Sequence, residues 1–159
     1  MASIGRILNY NPPAERRIPS QVLATWENGI FLKKEDINRD IKGLRSPQIG
    51  AIYATLSHWE VSSDAATIVM PTGTGKTEVM LSLLIAASCY KTMIIVPTDA
   101  LRSQISNKVA SLGLLADPQF SIVKETVLKP IVGVMSHRPA SSEEAIAFME
   151  QCNVCLLYT

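Results

Sequence analysis

The chain has 159 residues, of which 47% are hydrophobic and 18% are charged. This length predicts about one domain, and the composition excludes intrinsic disorder as the general state. Fifteen Lys and Arg against 14 Asp and Glu give a formal net charge of +1. A bulk electrostatic attraction to nucleic acid or to a membrane surface is therefore excluded, and any nucleic-acid binding has to be local.

The chain shows no candidate membrane or export segment. Its longest nearly apolar stretch, residues 79–90, is interrupted by Ser82 and Ser88 and is shorter than the roughly 20 residues of a membrane span. The N-terminal region has no apolar run of signal-peptide length and contains Pro12 and Pro13. We therefore expect no membrane partner and a cytoplasmic location.

Residues 1–45 differ from the rest and predict a small helical N-terminal extension. Ser20 is a suitable N-cap for a short helix, which Asn28 and Gly29 would end. Two sets of apolar residues occur here at helical spacing: Val22, Leu23 and Trp26, then Ile37, Ile41 and Leu44.

A second domain is predicted over residues 46–159, and it begins with a helix. Ser46 would be the N-cap and Pro47 would lie in the first turn. One apolar face follows at spacings of three and four residues: Ile49, Ile52, Tyr53, Leu56 and Trp59.

From residue 65 onward, strand and helix patterns alternate. Such alternation predicts an α/β fold with a parallel sheet covered by helices on both faces. The strand-like segments are residues 65–70, 92–96, 130–135 and the apolar stretch from 153, and the helix-like segments are residues 77–90, 101–112 and 141–151.

Residues 155–159 read Cys-Leu-Leu-Tyr-Thr and stop within a strand pattern, with no turn or cap. They resemble the translation of a common sequencing-adapter end, so we expect a truncated chain whose last five residues are not native. A natural terminal strand remains the alternative, because this composition is ordinary for strands.

A candidate phosphate-binding loop, residues 70–77, lies between a predicted strand and a predicted helix. Gly73 and Gly75 let the backbone approach a phosphate, and the helix N-terminus favours its charge. Lys76 would reach the β- and γ-phosphates of a nucleotide, and the Thr77 hydroxyl would bind Mg²⁺. The alternative, a Gly-rich turn that only joins strand to helix, requires neither Lys nor Thr there.

The general phosphate-loop pattern has Gly where this chain has Met70. Residues 71–77, Pro-Thr-Gly-Thr-Gly-Lys-Thr, instead resemble motif I of superfamily 2 helicases and translocases. That resemblance implies a nucleotide site formed by Thr72, Gly73, Thr74, Gly75, Lys76 and Thr77, with Lys76 and Thr77 as the catalytic residues and Thr77 as the metal ligand.

Residues 44–48, Leu-Arg-Ser-Pro-Gln, are similar to the L-R-x-x-Q segment of the restriction-enzyme-like and DEAD/DEAH-like branches of that superfamily. The resemblance implies that Gln48 contacts the adenine edge, with Arg45 beside it. An amide can both donate to and accept from adenine, which gives Gln48 a physical reason to favour ATP over GTP. The alternative is that both are solvated residues beside a helix cap.

Residues 94–104 resemble motif Ia of the same superfamily, whose strand-to-helix corner touches the nucleic-acid backbone. The resemblance implies contacts from Pro97, Thr98 and Arg102. A helix N-terminus can bind a phosphate, and an arginine in its first turn adds a charge-assisted donor. Alternatively, Thr98 or Asp99 only caps the helix and Arg102 is a solvated residue.

Taken together, these segments resemble the first part of a RecA-like P-loop NTPase domain. The resemblance implies an ATP- and Mg²⁺-dependent helicase or translocase, with nucleic acid as partner, DNA favoured over RNA, and a second RecA-like domain in the same longer chain. No strand ending in Asp-Glu follows, so we expect a truncated fragment that is inactive alone. The alternatives are a small-molecule or nucleoside kinase, and a nucleotide-binding domain without catalysis.

Overall fold

The computed structural model describes residues 4–159 and has a four-stranded sheet at its centre. The strand order is β1-β3-β4-β2, in which β2, β3 and β4 are parallel and β1 pairs antiparallel with β3. The strands are β1 (Gly5–Leu8), β2 (Thr92–Val96), β3 (Val132–Met135) and β4 (Val154–Tyr158). The predicted α/β class is confirmed, with one antiparallel edge strand that the sequence does not predict.

The described residues form five α-helices, and the last four correspond to the helices predicted after residue 45. They are α1 (Pro19–Ala24), α2 (Ser46–Val61), α3 (Lys76–Ala86), α4 (Asp99–Ser111) and α5 (Ser142–Glu150). The N-cap of α2 is Arg45 rather than the expected Ser46, which is the first helical residue. Within residues 4–159, no helix is long and apolar enough to cross a membrane.

Both faces of β3 are covered. On one face Phe148 of α5 lies so close to Gly133 that a Cβ at this glycine would come within 2.9 Å of the ring. Val132 and Val134 have the opposite orientation, since strand side chains alternate, and they are 0% and 1% exposed. Both faces of β3 are therefore buried, as expected for a strand in a parallel sheet.

The predicted strand over residues 65–70 is wrong. This segment has no regular secondary structure and pairs with no strand, and Ile68 and Val69 are 41% and 88% exposed. A strand requires a hydrogen-bonded neighbour, and among the described residues β2 pairs only with β4. The β-branched composition is thus present without the partner that would turn it into a strand.

The predicted helical character of residues 1–45 is only partly correct. Residues 5–8 form β1, and residues 37–44 contain only the short 3-10 helix Ile37–Arg39, capped by the Asp36 carboxylate. The first helix begins at Pro19 with Ile18 as N-cap, so Ser20 lies inside it. Gln21 supplies the side-chain cap instead, because its Oε1 accepts from the Ile18 amide at 3.2 Å.

The N-terminal segment packs into the same core as the rest of the described chain. Trp26 is 1% exposed, and its indole nitrogen donates to the Leu128 carbonyl oxygen at 3.0 Å. The buried amide of Asn153 donates to the Pro19 carbonyl oxygen at 2.8 Å. Residues 4–45 therefore contribute to the stability of the α/β core. Residues 1–3 lie outside the described part of the chain, and the domain boundary at residue 45 stays a prediction.

Candidate functional site

The candidate phosphate loop runs into the N-terminus of α3, and two of its glycines have a left-handed backbone. Gly73 has φ +80° and Gly75, the N-cap of α3, has φ +83°. A Cβ at Gly73 would meet no atom within 4 Å, so there the backbone conformation alone requires glycine. At Gly75 a Cβ would also clash with the Gln48 side-chain amide. The two glycines are thus required for different reasons.

The side chains of the loop hold its own backbone. The Lys76 ammonium group donates to the Pro71 carbonyl oxygen at 3.1 Å, and the Thr74 hydroxyl donates to the same oxygen at 2.6 Å. Lys76 is exposed, and Thr77 is half-buried in the first turn of α3. Since a charged group is a stronger acceptor than a carbonyl, an incoming phosphate would compete with Pro71 for the lysine.

The first turn of α2 is hydrogen-bonded to the phosphate loop. Arg45 donates through Nη1 to the Gly73 carbonyl oxygen at 3.1 Å. Gln48 accepts from the Arg45 amide at 2.8 Å and donates through Nε2 to the Gly75 carbonyl oxygen at 3.2 Å. Gln48 is only 5% exposed, so it is a buried link rather than a solvated residue. Its contact with adenine stays a prediction.

A cleft of about 840 Å³ opens beside the phosphate loop, a volume within the usual range for small-molecule sites. Residues 35–45, Gln48 and the loop form one side, while α4 and the segment near Phe120 contribute to the rest of its lining. Its charged side chains are the cations Lys42, Arg45, Lys76 and Lys108 and the carboxylates Glu35, Asp36, Asp40 and Glu78. The contribution of α4 has no sequence signal, because it depends on helix packing.

A second, apolar slot of about 240 Å³ lies between the unpaired segment 65–70 and β2. Half of its lining residues belong to α3, and Ile68, Met70, Cys89 and Ile94 are among the others. Burial raises the pKa of the Cys89 thiol above its usual value. The slot thus lies next to two segments that the sequence predicts as strands, residues 65–70 and 92–96.

The motif Ia-like corner lies where β2 meets α4. Thr98 caps the helix by accepting from the Leu101 amide at 3.2 Å, and Pro97 is exposed beside it. Arg102, which the sequence suggests as an exposed phosphate donor, is instead 7% exposed. Its guanidinium group donates to the Met135 carbonyl oxygen and to the Asp99 carboxylate.

The buried position of Arg102 follows from the helix geometry. It lies one turn after Thr98, so its side chain extends over the ends of β3 and β4, and its guanidinium carbon is 4.8 Å from the Tyr158 ring centroid. Within residues 4–159, its Nε is buried without a hydrogen-bond partner. The contacts of Pro97, Thr98 and Arg102 with nucleic acid stay predictions.

The residues of the phosphate loop suit a magnesium nucleotide. The hard Mg²⁺ ion prefers oxygen ligands, and Thr77, directly after Lys76 in the first turn of α3, has a hydroxyl group. Residues 4–159 contain no group of three His, Cys, Asp or Glu that could hold a metal ion by itself. The Thr77 hydroxyl and the phosphates of a nucleotide are oxygen ligands of the kind that Mg²⁺ prefers.

Residues 41–149 match the model of the family described as type III restriction enzyme, res subunit. The match covers more than half of the chain and includes the α2 N-terminus, the phosphate loop and α4. This family is DEAD/DEAH-like, helicase-related and RecA-like. Neither the curated proteins nor the solved structures contain a match to the chain.

Proposed function

The chain belongs to the family of the type III restriction enzyme res subunit, a helicase-like family of ATP-dependent nucleic-acid enzymes, and we propose that it is the ATP-binding N-terminal part of a helicase or translocase. The carrying observation is the phosphate loop at the N-terminus of α3, with Gly73 and Gly75 at positive φ and the α2 N-terminus hydrogen-bonded to it. In this proposal, ATP hydrolysis drives movement along DNA.

The phosphate loop binds the nucleotide through backbone and side chains. The backbone amides of residues 72–75 and the first turn of α3 surround the phosphates, as the helix N-terminus favours negative charge. Lys76 leaves the Pro71 carbonyl oxygen and binds the β- and γ-phosphates. Thr77 would hold the Mg²⁺ ion, which would supply positive charge next to the phosphates.

Arg45 and Gln48 connect recognition of the base to the shape of the loop. One amide hydrogen and one oxygen lone pair of Gln48 are used within the protein, and a side-chain amide has one more of each. These remaining sites contact adenine. Arg45 lines the cleft and holds the Gly73 carbonyl oxygen, so it shapes the loop in which the phosphates lie.

The nucleic-acid backbone binds at the corner formed by Pro97 and Thr98. Both residues are exposed at the carboxyl edge of the sheet, where the N-terminus of α4 offers backbone amides to a phosphate. Such contacts carry no sequence information, which suits an enzyme that moves along any sequence.

Further chain completes the catalytic domain in this proposal. The apolar side chains Val69, Met93 and Ile95 are 88%, 48% and 57% exposed, and within residues 4–159 β2 is paired along one edge only. An exposed sheet edge of this kind favours pairing with another strand. That part of the chain, with a second RecA-like domain, supplies the carboxylates that hold Mg²⁺ and orient water.

ATP binding by the 159-residue chain tests the proposal. Titration with a fluorescent ATP analogue and Mg²⁺ should give weak, saturable binding, and Lys76→Ala should lower the affinity at least about tenfold, because a charge-assisted phosphate contact is lost. Lys34→Ala, at an exposed lysine outside the cleft, is the matched control. Equal affinity in the Lys76 and Lys34 variants would contradict the site.

The same chain should show no ATP turnover above background, with or without single-stranded DNA, because the water-orienting carboxylate is missing. A DNA-stimulated ATPase signal from the purified chain would contradict the proposed division of the enzyme.

A further inference from the structure

The carboxyl edge of the sheet carries two basic positions of different character. Since β2 and β3 are parallel in the sheet, their carboxyl ends lie at the same edge. Arg102 follows β2 in the first turn of α4, and Arg138 follows β3 by three residues. The Arg102 contact with the Met135 carbonyl oxygen shows that the two segments are adjacent.

Arg102 is already neutralised within the protein. Its guanidinium group forms an ion pair with Asp99 and a hydrogen bond with Met135, and its side chain is 9% exposed. To bind a phosphate, this arginine would have to break both contacts and leave its buried position. Its contacts instead fix the first turn of α4, and thereby Thr98, against the end of β3.

Arg138 has the opposite character. It is exposed, and within residues 4–159 the ion pairs are those of Arg39 with Asp36 and Arg102 with Asp99, so Arg138 takes part in neither. The backbone just before it is fixed, because the amides of Ser136 and His137 both donate to the Ile4 carbonyl oxygen, at 2.8 and 3.0 Å. The Arg138 side chain is therefore attached to the residue directly after this anchored backbone.

The neighbouring helix N-terminus, that of α5, carries two carboxylates, whereas the one carboxylate in the first turn of α4, that of Asp99, is paired with Arg102. In the first turn of α5, the Glu144 amide donates to the Ser141 hydroxyl and the Glu144 carboxylate accepts from the Ala140 amide at 2.6 Å. The Glu143 carboxylate adds a second negative charge in that turn. A phosphate at this edge is therefore directed toward Thr98 and Arg138 and away from α5.

We propose that Arg138 makes the charge-assisted contact with a nucleic-acid phosphate at this corner, and that Arg102 is a positioning residue that holds Thr98. The inference rests on the proposed function, because it names the side chain by which that nucleic-acid site attracts the backbone. It also predicts that the two arginines respond differently to substitution.

The test is a salt titration of binding between the 159-residue chain and two labelled single-stranded oligonucleotides of unrelated sequence, measured by fluorescence anisotropy. Arg138→Ala should weaken binding about equally for both and reduce the log-log salt slope by about 0.7, the value for one phosphate on a single strand. Arg138→Lys should keep the slope, since it keeps the charge.

Arg16→Ala is the matched control. Arg16 is exposed and lies three residues before Pro19, which contacts Asn153 at the opposite, amino edge of the sheet. This variant should bind like the parent chain. Arg102→Ala and Arg102→Lys should lower the thermal unfolding midpoint, because the buried guanidinium contacts with Met135 and Asp99 are lost or cannot be made in the same geometry. Both variants should keep the parent salt slope at a temperature where they are folded.

The outcomes separate the inference from the proposed function. If the parent chain binds ATP but neither oligonucleotide, the nucleic-acid part of the proposed function fails, and this inference fails with it. If the parent binds both oligonucleotides and Arg138→Ala keeps the parent slope, the inference alone is overturned. A slope reduction in a folded Arg102 variant equal to that of Arg138→Ala would overturn the assigned roles. If neither Arg102 variant folds, the slopes of the Arg138 and Arg16 variants decide.

Discussion

Replacing Gln48 with alanine should destabilise the protein and weaken ATP binding together. The substitution removes the acceptor of the Arg45 amide and the donor to the Gly75 carbonyl oxygen, both at a side chain that is 5% exposed. A typical hydrogen bond contributes about 1 kcal/mol net, so the two together give about 2 kcal/mol. For a chain of this length, that loss lowers the melting temperature by about 4 to 8 °C.

Gln21→Ala is a control with the same local geometry. Gln21 accepts from the Ile18 amide at the start of α1, as Gln48 accepts from Arg45 at the start of α2, but it is exposed. Its removal should cost only about 0.5 kcal/mol. The difference in unfolding free energy between the Gln48 and Gln21 variants measures how much the contact between Gln48 and the phosphate loop contributes to stability.

The assay is thermal unfolding by circular dichroism, combined with ATP titration of the folded variants. About 1 kcal/mol of the lost unfolding free energy comes from the hydrogen bond by which Gln48 orders Gly75. Because ATP binding needs this ordered loop, the same loss should make the ATP affinity about fivefold weaker. A contact with adenine should further reduce the preference for ATP over GTP. If Gln48→Ala lowers the melting temperature no more than Gln21→Ala, the link between α2 and the loop is refuted.

Two further predictions concern glycine and charge. Gly75→Ala should lower stability and abolish detectable ATP binding, because Gly75 has a φ of +83° and the new Cβ would clash with the Gln48 amide. Gly50→Ala should instead stabilise α2 by up to about 1 kcal/mol, because no atom lies within 4 Å of the new Cβ. Thermal unfolding and ATP titration check both variants. The Glu143 backbone amide and the Ser141 hydroxyl lower the pKa of the Glu143 carboxyl. The ionised Glu143 carboxylate therefore stabilises the folded protein above the ordinary glutamate pKa, and this stabilisation is lost as the pH falls through the lowered pKa of the folded state. Glu143→Gln should then make unfolding less dependent on acid pH. An unchanged pH profile of the unfolding midpoint would contradict this role.

Local sequence signals predict most of the helices and the phosphate loop correctly. The Ser141 cap, the periodicity of α4 and the glycines before Lys76 all act within a few residues of their own position. Such signals are independent of the rest of the fold. This explains why α2 to α5 and β2 occur where the sequence predicts them.

The incorrect predictions concern strands, whose formation depends on pairing with segments far away in the sequence. Residues 65–70 have a strand composition, but a strand forms only where a neighbour completes its hydrogen bonds, and that neighbour is absent among the described residues. Conversely, residues 5–8 become a strand because β3, more than 120 residues later, offers a free edge. Neither outcome can be derived from composition alone.

The candidate site shows the same division. Gly73 could be assigned from the motif, since its left-handed backbone requires glycine in isolation. The second reason for glycine at Gly75 is invisible in the sequence, because it arises from Gln48, 27 residues earlier. The loop and the first turn of α2 therefore form one structural unit, although only their separate motifs could be predicted.

The exposed charge at the carboxyl edge of the sheet also depends on contacts that the sequence motif does not show. A motif match places an arginine at position 102, but the ion pair with Asp99 removes that charge from the surface, and the net charge of +1 offers no compensating long-range attraction. In this proposal the nucleic-acid affinity of the corner depends on a small number of exposed cations, and Arg138 is the exposed arginine that follows β3. Since each phosphate on a single strand adds about 0.7 to the log-log salt slope, the isolated chain should have a slope of only about 1 to 2. A much steeper slope would mean that nucleic acid binds along another surface, and the arrangement of Thr98, Arg102 and Arg138 would then be unrelated to binding.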